Sequence, residues 1–304
     1  MSAHLAPAPL APAPAPLAPA PAAAAPDSQP GTLVWEPAEG AARRGTVVLL
    51  PGRGENPAVY QRFGRRLAAD GYGVHALGLG PDPAPADVTA AFAAVARQAP
   101  APVVLAGSDT GALRALAAAR EAGTRPDGLV LAALPLTAGA PAPDGWEEEL
   151  AARTSCPAHR GVLTADPAFG RGRFADRVPD ALLAPALNPA LNPALNPALN
   201  PALNPAPAVA PAPLGEDGPP PASPGRLPVL VLHGAADPVA PPQAVREFAA
   251  RLPAAVLVLV EDGRHDVLND ATHRSVAAQL VQWLERLRGG PDLPRLLTVE
   301  EPPR

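Results

Sequence analysis

Apolar runs alternate with helix-like segments along most of this chain, and that alternation decides the fold class. The expected strands are 32–36, 45–50, 73–79, 102–106, 128–134, 227–232 and 255–260. The expected helices between them are 57–70, 86–98, 111–122, 241–251 and 271–288. Apolar strands separated by helices are typical of a parallel sheet that is covered on both faces. The sequence therefore predicts an α/β fold with a mostly parallel, doubly wound sheet.

Proline-rich stretches divide this pattern. The predicted divisions are an Ala/Pro-rich disordered arm at 1–30, a first core part at 31–134, a cap insertion at 135–226, a second core part at 227–288 and a tail at 289–304. The insertion contains consecutive Ala-Leu-Asn-Pro units at 186–205. Proline at every fourth position removes helix hydrogen bonds, which predicts a disordered tract. Its earlier part, with Trp146, Leu150 and Phe174, is expected to form a small helical lid.

Composition narrows the function classes. A net charge of −5 gives no reason to expect a nucleic-acid partner. No run of 18 apolar residues is free of proline or charge, and no basic segment precedes the apolar N-terminus. We therefore expect a cytoplasmic protein with a small-molecule substrate, no cofactor and no metal. The single cysteine excludes an internal disulfide, and Cys156 with His159 lacks a second ligand pair nearby.

A strand, a tight turn and a helix follow one another at residues 102–113, Pro-Val-Val-Leu-Ala-Gly-Ser-Asp-Thr-Gly-Ala-Leu. Small residues must flank such a turn because the strand and the helix approach closely around it. With Gly107 and Gly111 in those positions, Asp109 occupies the exposed tip where a nucleophile is expected. Ser108 lies one residue earlier and is the alternative nucleophile.

Other candidate residues follow neighbouring strands. A glycine-rich turn, Gly52-Arg53-Gly54, comes after the second strand, and we expect the amides of Arg53 and Thr110 to stabilise an oxyanion. Asp237 and His265 each follow a later strand. Because the carboxyl ends of parallel strands share one edge of the sheet, we expect Asp109, Asp237 and His265 to converge there. His265 should lie within hydrogen-bonding reach of Asp237.

Four motifs carry a resemblance to a known family. They are Pro51-Gly52-Arg53-Gly54-Glu55 with Tyr60, Gly107-Ser108-Asp109-Thr110-Gly111, His233-Gly234 with Asp237, and Gly263-Arg264-His265 with Asp270. The chain resembles α/β-hydrolases of the serine-aminopeptidase/monoglyceride-lipase-like (lysophospholipase-like) branch. The resemblance implies an α/β-hydrolase fold with a cap, and a hydrolase acting on a small or lipid-like substrate. The sequence departs from it where Pro51 replaces a histidine and Asp109 replaces the nucleophilic serine.

Three interpretations of the strand-turn-helix segment around Asp109, called the elbow below, stay open. A carboxylate at Asp109 is ionised without a general base and can form an alkyl ester, a chemistry that haloalkane dehalogenases and epoxide hydrolases of the same superfamily use. The chain lacks the residues that support this chemistry in those enzymes, since Thr110 follows Asp109 and its two tyrosines, Tyr60 and Tyr72, lie outside the cap. Ser108 as nucleophile would make a serine esterase, but it would put β-branched Thr110 at a position that favours a small residue. In the third interpretation the chain is a catalytically degenerate hydrolase that binds a ligand without turnover.

Overall fold

A computed structural model describes residues 31–121, 124–137, 143–188, 227–252, 254–290 and 292–296. The strands are β1 (Leu33–Trp35), β2 (Gly45–Leu50), β3 (Tyr72–Ala76), β4 (Val103–Ser108), β5 (Gly128–Ala132), β6 (Val229–Gly234) and β7 (Ala255–Val260). They form one sheet in the order β1-β3-β2-β4-β5-β6-β7. Only the β1–β3 pairing is antiparallel, and the other pairings among the described strands are parallel. The predicted α/β fold is confirmed.

Helices cover both faces of this sheet. They are α1 (Gln61–Ala69), α2 (Pro85–Ala96), α3 (Thr110–Ala118), α4 (Trp146–Arg153), α5 (Pro157–Ala165), α6 (Asp180–Leu187), α7 (Pro242–Ala250) and α8 (His273–Arg288), with short 3-10 helices at Pro57–Tyr60 and Arg173–Ala175. Helices α1 and α8 pack on one face, and α2, α3, α6 and α7 pack on the other. Since both faces are buried, the strands are apolar throughout rather than alternating.

The structure shifts the predicted limits of the elbow. Strand β4 was expected to end at residue 106, but it continues through Ser108, and α3 already begins at Thr110. Asp109 alone therefore forms the turn. Before α1, the chain first makes a 3-10 turn, where the Asn56 side chain accepts a hydrogen bond from the Ala58 amide at 2.9 Å.

The structure corrects two sequence-based expectations, one in the cap and one near the C-terminal end of the described residues. Helices α4 to α6 lie in the segment between β5 and β6, and α6 includes Ala186 and Leu187 of the first Ala-Leu-Asn-Pro unit. Ala186 is buried with the core of α3, so the expectation of disorder is wrong there. The rest of that tract, 189–205, and the arm at 1–30 lie outside the described residues. In the expected tail, Leu293 is buried against the core.

Among the described residues, no helix is both long and apolar enough to cross a membrane.

Candidate active site

Asp109 lies at the tip of a strained turn. Its φ of 50° and ψ of −125° are unusual for a residue with a side chain, and such backbone conformations cost on the order of 1–3 kcal/mol. The flanking glycines make the turn possible. A Cβ atom on Gly107 would overlap the Gly111 carbonyl, and one on Gly111 would overlap the Leu50 carbonyl. The strand-turn-helix geometry therefore places Asp109 at the tip of the turn, while Ser108 remains the last residue of β4.

Asp237 and His265 form the expected hydrogen bond. The Asp237 carboxylate follows β6 and accepts the amides of Val239 and Ala240 through Oδ1, at 2.8 and 3.0 Å. Its Oδ2 atom lies 2.8 Å from Nδ1 of His265. Burial would raise the pKa of Asp237, but the charge of His265 and these hydrogen bonds lower it below its ordinary value. Asp237 is therefore an ionised carboxylate that fixes the orientation of the imidazole.

His265 stands between two carboxylates. Its Nε2 atom lies 3.3 Å from Oδ1 of Asp109, within ion-pair range but without the alignment of a hydrogen bond. Burial alone would lower the pKa of His265, but the negative charges of Asp237 and Asp109 and the contacts with both carboxylates raise it to about 10. At neutral pH the resting imidazole is consequently protonated.

Arg53 closes over Asp109. Its backbone amide and its Nε atom both donate to Asp109 Oδ2 at 2.8 Å, and Nη2 donates to Oδ1 at 2.9 Å. The remaining Nη1 atom donates to the carbonyls of Asp176 and Phe174 in the cap, at 3.1 and 3.4 Å. Burial would raise the pKa of Asp109, but the Arg53 charge holds it well below its usual range. Asp109 as a whole residue is 2 % exposed, so the resting site is closed.

The other predicted site residues surround this pair. The Gly52 amide donates to Glu55 Oε2 at 2.8 Å, and a Cβ atom on Gly52 would lie 2.9 Å from Cβ of Asp109. Thr110 begins α3 and is buried. Ser108 follows the alternation of β4, on the sheet face that carries α1, where it lies near the Tyr60 hydroxyl. The Arg53 amide, expected to face the substrate, donates to Asp109 in the resting site.

Arg153 is a buried residue of the cap that the sequence analysis missed. Its Nε and Nη2 atoms donate to Oε1 of Glu149 at 3.0 and 2.9 Å, and Nη2 also donates to the Arg53 carbonyl at 2.9 Å. Its Nη1 atom lies 3.5 Å from Oδ1 of Asp266. The guanidinium carbon lies 3.8 Å from the centre of the Phe174 ring. One cation thus joins α4, the Arg53 loop and the loop that carries His265.

The backbone of α4 also holds the histidine loop. The amide of His265 donates to the Ala152 carbonyl at 3.2 Å, and the amide of Asp266 donates to the Arg153 carbonyl at 2.8 Å. His159 of α5 lies 3.1 Å from Oδ2 of Asp266 through Nε2. His159 therefore has a structural partner. In the part of the chain that the structure describes, no three His, Cys, Asp or Glu residues are grouped to hold a metal ion.

A cavity of about 610 Å³ lies beside the Arg53 loop, between that loop, the segment after β3 and the cap. Its volume falls within the range of small-molecule pockets, roughly 300–1,000 Å³. Both chain neighbours of Arg53, Gly52 and Gly54, line it. Its apolar wall includes Leu33 of β1, Leu50 at the end of β2, and Leu77 and Leu79 after β3. This cavity adjoins Asp109 across Gly52.

Comparison with known proteins identifies the family. A family model described as the alpha/beta hydrolase family matches residues 47–279, more than half of the chain. The protein therefore belongs to the alpha/beta hydrolase family, and this membership supports a hydrolase. No curated protein shows a significant sequence match to the chain.

Solved structures share the fold at low sequence identity. A soluble variant of monoglyceride lipase from Saccharomyces cerevisiae, in complex with a substrate analog, is 17 % identical with a TM-score of 0.58, covering 84 % of this chain and 91 % of that one. A monoacylglycerol lipase from Paleococcus ferrophilus is 16 % identical with a TM-score of 0.58, covering 84 % and 98 %. A Pyrobaculum calidifontis esterase is 19 % identical with a TM-score of 0.52, covering 84 % and 80 %.

Proposed function

We propose that this protein is a hydrolase that works through a covalent ester on Asp109. One observation carries the proposal. Asp109 occupies the tip of the elbow, and the Nε2 atom of His265 lies 3.3 Å from its Oδ1 atom while Nδ1 is held by Asp237. Nucleophile, base and orienting acid thus follow one another in space and, in the order nucleophile, acid, base, along the chain.

In the first step, Oδ1 of Asp109 attacks an electrophilic sp³ carbon of the substrate. A carbon–oxygen bond forms, and the bond to the leaving group breaks with its electron pair on the leaving group. Oδ1 is the attacking atom because the Arg53 amide holds Oδ2. The Nη2 atom of Arg53, which donates to Oδ1 in the resting site, must release it.

In the second step, His265 activates water. Esterification removes the negative charge of Asp109, so the pKa of His265 falls from its resting value of about 10 and the imidazole releases its proton to solvent or to the departing group. The neutral imidazole then takes a proton from water, whose oxygen attacks the ester carbonyl carbon of Asp109. The Arg53 amide stabilises the negative charge on Oδ2, and His265 returns its proton to the alcohol that leaves.

Intact-protein mass spectrometry tests this mechanism. His265→Gln is incubated with panels of alkyl halides, epoxides and esters, and we expect one adduct that maps to Asp109, because the first step needs no base. Asp109→Asn should form no adduct, since an amide cannot make the ester. Ser108→Ala is the matched control and should behave as the parent protein. Rapid labelling of Ser108 by a fluorophosphonate would instead establish the serine-esterase alternative.

A second candidate function is ligand binding without turnover. It is favoured by the closed resting site, in which Asp109 is 2 % exposed and Arg53 donates to both carboxylate oxygens. If the chain is a binding protein, none of the three variants changes a turnover and no electrophile labels Asp109. A lipid-like substrate and a cytoplasmic location also remain proposals, because the likeness to the lipases is one of fold.

A further inference from the structure

We propose that Arg53 selects the substrate of this site: it exchanges the Asp109 carboxylate for an anionic group of the substrate, so that the enzyme acts on small organic anions. The inference deepens the covalent mechanism proposed above and rests on it. It follows from the charges that Asp109 and its neighbours carry before and after esterification.

Before the reaction, the buried charges are paired. Arg53 and Asp109 form a bidentate ion pair whose side chains are 8 % and 3 % exposed. His265 pairs with Asp237 at 2.8 Å. Among the described residues, Asp109 is the carboxylate that pairs with Arg53. The positive charge of Arg53 is therefore balanced by the same carboxylate that the first reaction step esterifies.

Esterification leaves Arg53 without an anion. A carboxylate ester is neutral, and the remaining partners of the guanidinium are the carbonyls of Phe174 and Asp176. A buried cation without an opposite charge is strongly unfavourable, and removing one member of a buried ion pair typically costs about 3–5 kcal/mol. A leaving group that departs as an anion would pair with Arg53 only until it diffuses away. An anionic group fixed on the substrate would stay through both steps.

The position of the guanidinium limits where that group can be. Nη2 of Arg53 lies 2.9 Å from Oδ1 of Asp109, the attacking atom. A carboxylate that takes over this donor must therefore lie within a few bonds of the carbon under attack. Arginine offers parallel N–H donors that match a carboxylate, so the exchange preserves its hydrogen bonds.

The adjoining cavity suits the rest of such a molecule. Its wall of leucine side chains accepts an apolar body, and the charged described residues that line it are Glu55, Arg114 and Arg173. Glu55 is directed to the Gly52 amide and the Tyr60 hydroxyl. Arg114 pairs with Asp82 at 2.8 Å, and Arg173 pairs with Asp176 at 2.7 Å. These cations are therefore already balanced by carboxylates, and the preference for an anion comes from Arg53.

A binding experiment tests the exchange without any turnover. In Asp109→Asn, the neutral amide imitates the charge of the ester while Arg53 keeps its place. Thermal unfolding is followed in sodium butyrate, with sodium chloride at equal ionic strength and butyramide as the uncharged analogue. We expect butyrate to raise the Tm of this variant, with an affinity about tenfold or more above that for the parent protein, while butyramide has no effect.

The double variant Arg53→Gln, Asp109→Asn is the matched control and should lose the response to butyrate. Equal responses of the parent and Asp109→Asn, equal effects of butyrate and chloride, or a response that persists in the double variant would each overturn the proposal. If Asp109→Asn does not fold, Asp109→Ala is used, and butyrate should restore its folding. Failure of both variants to fold in high butyrate would also overturn it.

The two proposals fail in different ways. If no electrophile labels Asp109 in His265→Gln but butyrate binds Asp109→Asn, covalent hydrolysis is wrong while the anion preference stands. If Asp109 is labelled but the variant ignores butyrate, the hydrolase stands and Arg53 does not select anions. Once a carboxylate substrate is found, Arg53→Gln should raise its KM more than that of the matching amide.

Discussion

The two ends of the sheet carry similar ion pairs in different surroundings. At the carboxyl edge, the Arg53–Asp109 pair is almost fully buried. At the amino edge, Arg44 binds Glu285 of α8 through two hydrogen bonds of 2.6 Å, but these side chains are 41 % and 20 % exposed. Both pairs are bidentate. Because exposed pairs contribute little and broken buried pairs cost much, we expect solvent exposure rather than contact geometry to decide what each pair contributes to stability.

Removing Arg153 should produce the largest change in stability. Arg153→Met leaves Glu149 and Asp266 buried without their cation, and we expect the free energy of unfolding to fall by about 3–5 kcal/mol. Arg44→Met is the matched control at the amino edge and should cost about 1 kcal/mol or less. Urea unfolding of both variants measures the difference. Similar losses in the two variants would contradict the view that buried Arg153 holds α4, the Arg53 loop and the His265 loop together.

The pH dependence of stability should have opposite signs at the two edges. The pKa of His265 is raised in the folded protein, so its stabilisation is complete below its unfolded pKa near 6.5 and is lost as the pH rises toward about 10. The difference in unfolding free energy between the parent and His265→Gln should therefore shrink from pH 7 to pH 10. A difference that stays constant over this range would show that the resting imidazole is already neutral at pH 7.

Glu285 should show the reverse and smaller dependence. Hydrogen bonding to Arg44 lowers its pKa to about 2, so its stabilisation is present above its unfolded pKa near 4.5 and is lost as the pH falls toward 2. We expect Glu285→Gln to cost about 1 kcal/mol or less at pH 7 and to approach the parent protein at low pH. Acid titration of the Tm of both proteins measures this. A constant gap down to pH 2 would point to packing rather than charge.

The smallest effect should come from a region outside both edges. Replacing residues 189–226 by a short Gly/Ser linker should move the Tm by roughly 2–4 °C, because loop length contributes only weakly to stability. Starting the deletion at residue 184 should cost more, since it removes buried Ala186 from α6. The Tm values of the two deletion variants, measured by circular dichroism, test this difference. Equal melts would mean that the end of α6 contributes nothing.

The sequence predicted those parts of the molecule that depend on local pattern. Continuous apolar runs predicted the strands of the sheet. Gly107 and Gly111 predicted the position of Asp109, because a side chain at either glycine would overlap neighbouring backbone. The Asp237–His265 contact followed from strand ends sharing an edge.

The buried charges of the cap could not be predicted in the same way. Glu149 and Arg153, four residues apart on a helix, have the spacing of an ordinary exposed pair. Only the packing of Phe174 and the two loops buries them. The side chain of Arg53 was missed for a related reason: the turn motif predicts where its amide lies, but not that the guanidinium folds back onto Asp109.

The hydrogen bonds from the histidine loop to the last turn of α4 set a limit on how the cap can be re-engineered. A cap is a tempting unit to exchange between relatives when a new specificity is wanted. Here the carbonyls of Ala152 and Arg153 accept hydrogen bonds from the amides of His265 and Asp266, so α4 supports the loop that carries the proposed base. We expect a graft that replaces α4 to shift His265 as well as to change the specificity. A chimera joined after α4 would leave that scaffold intact, with α5 and α6 open to exchange.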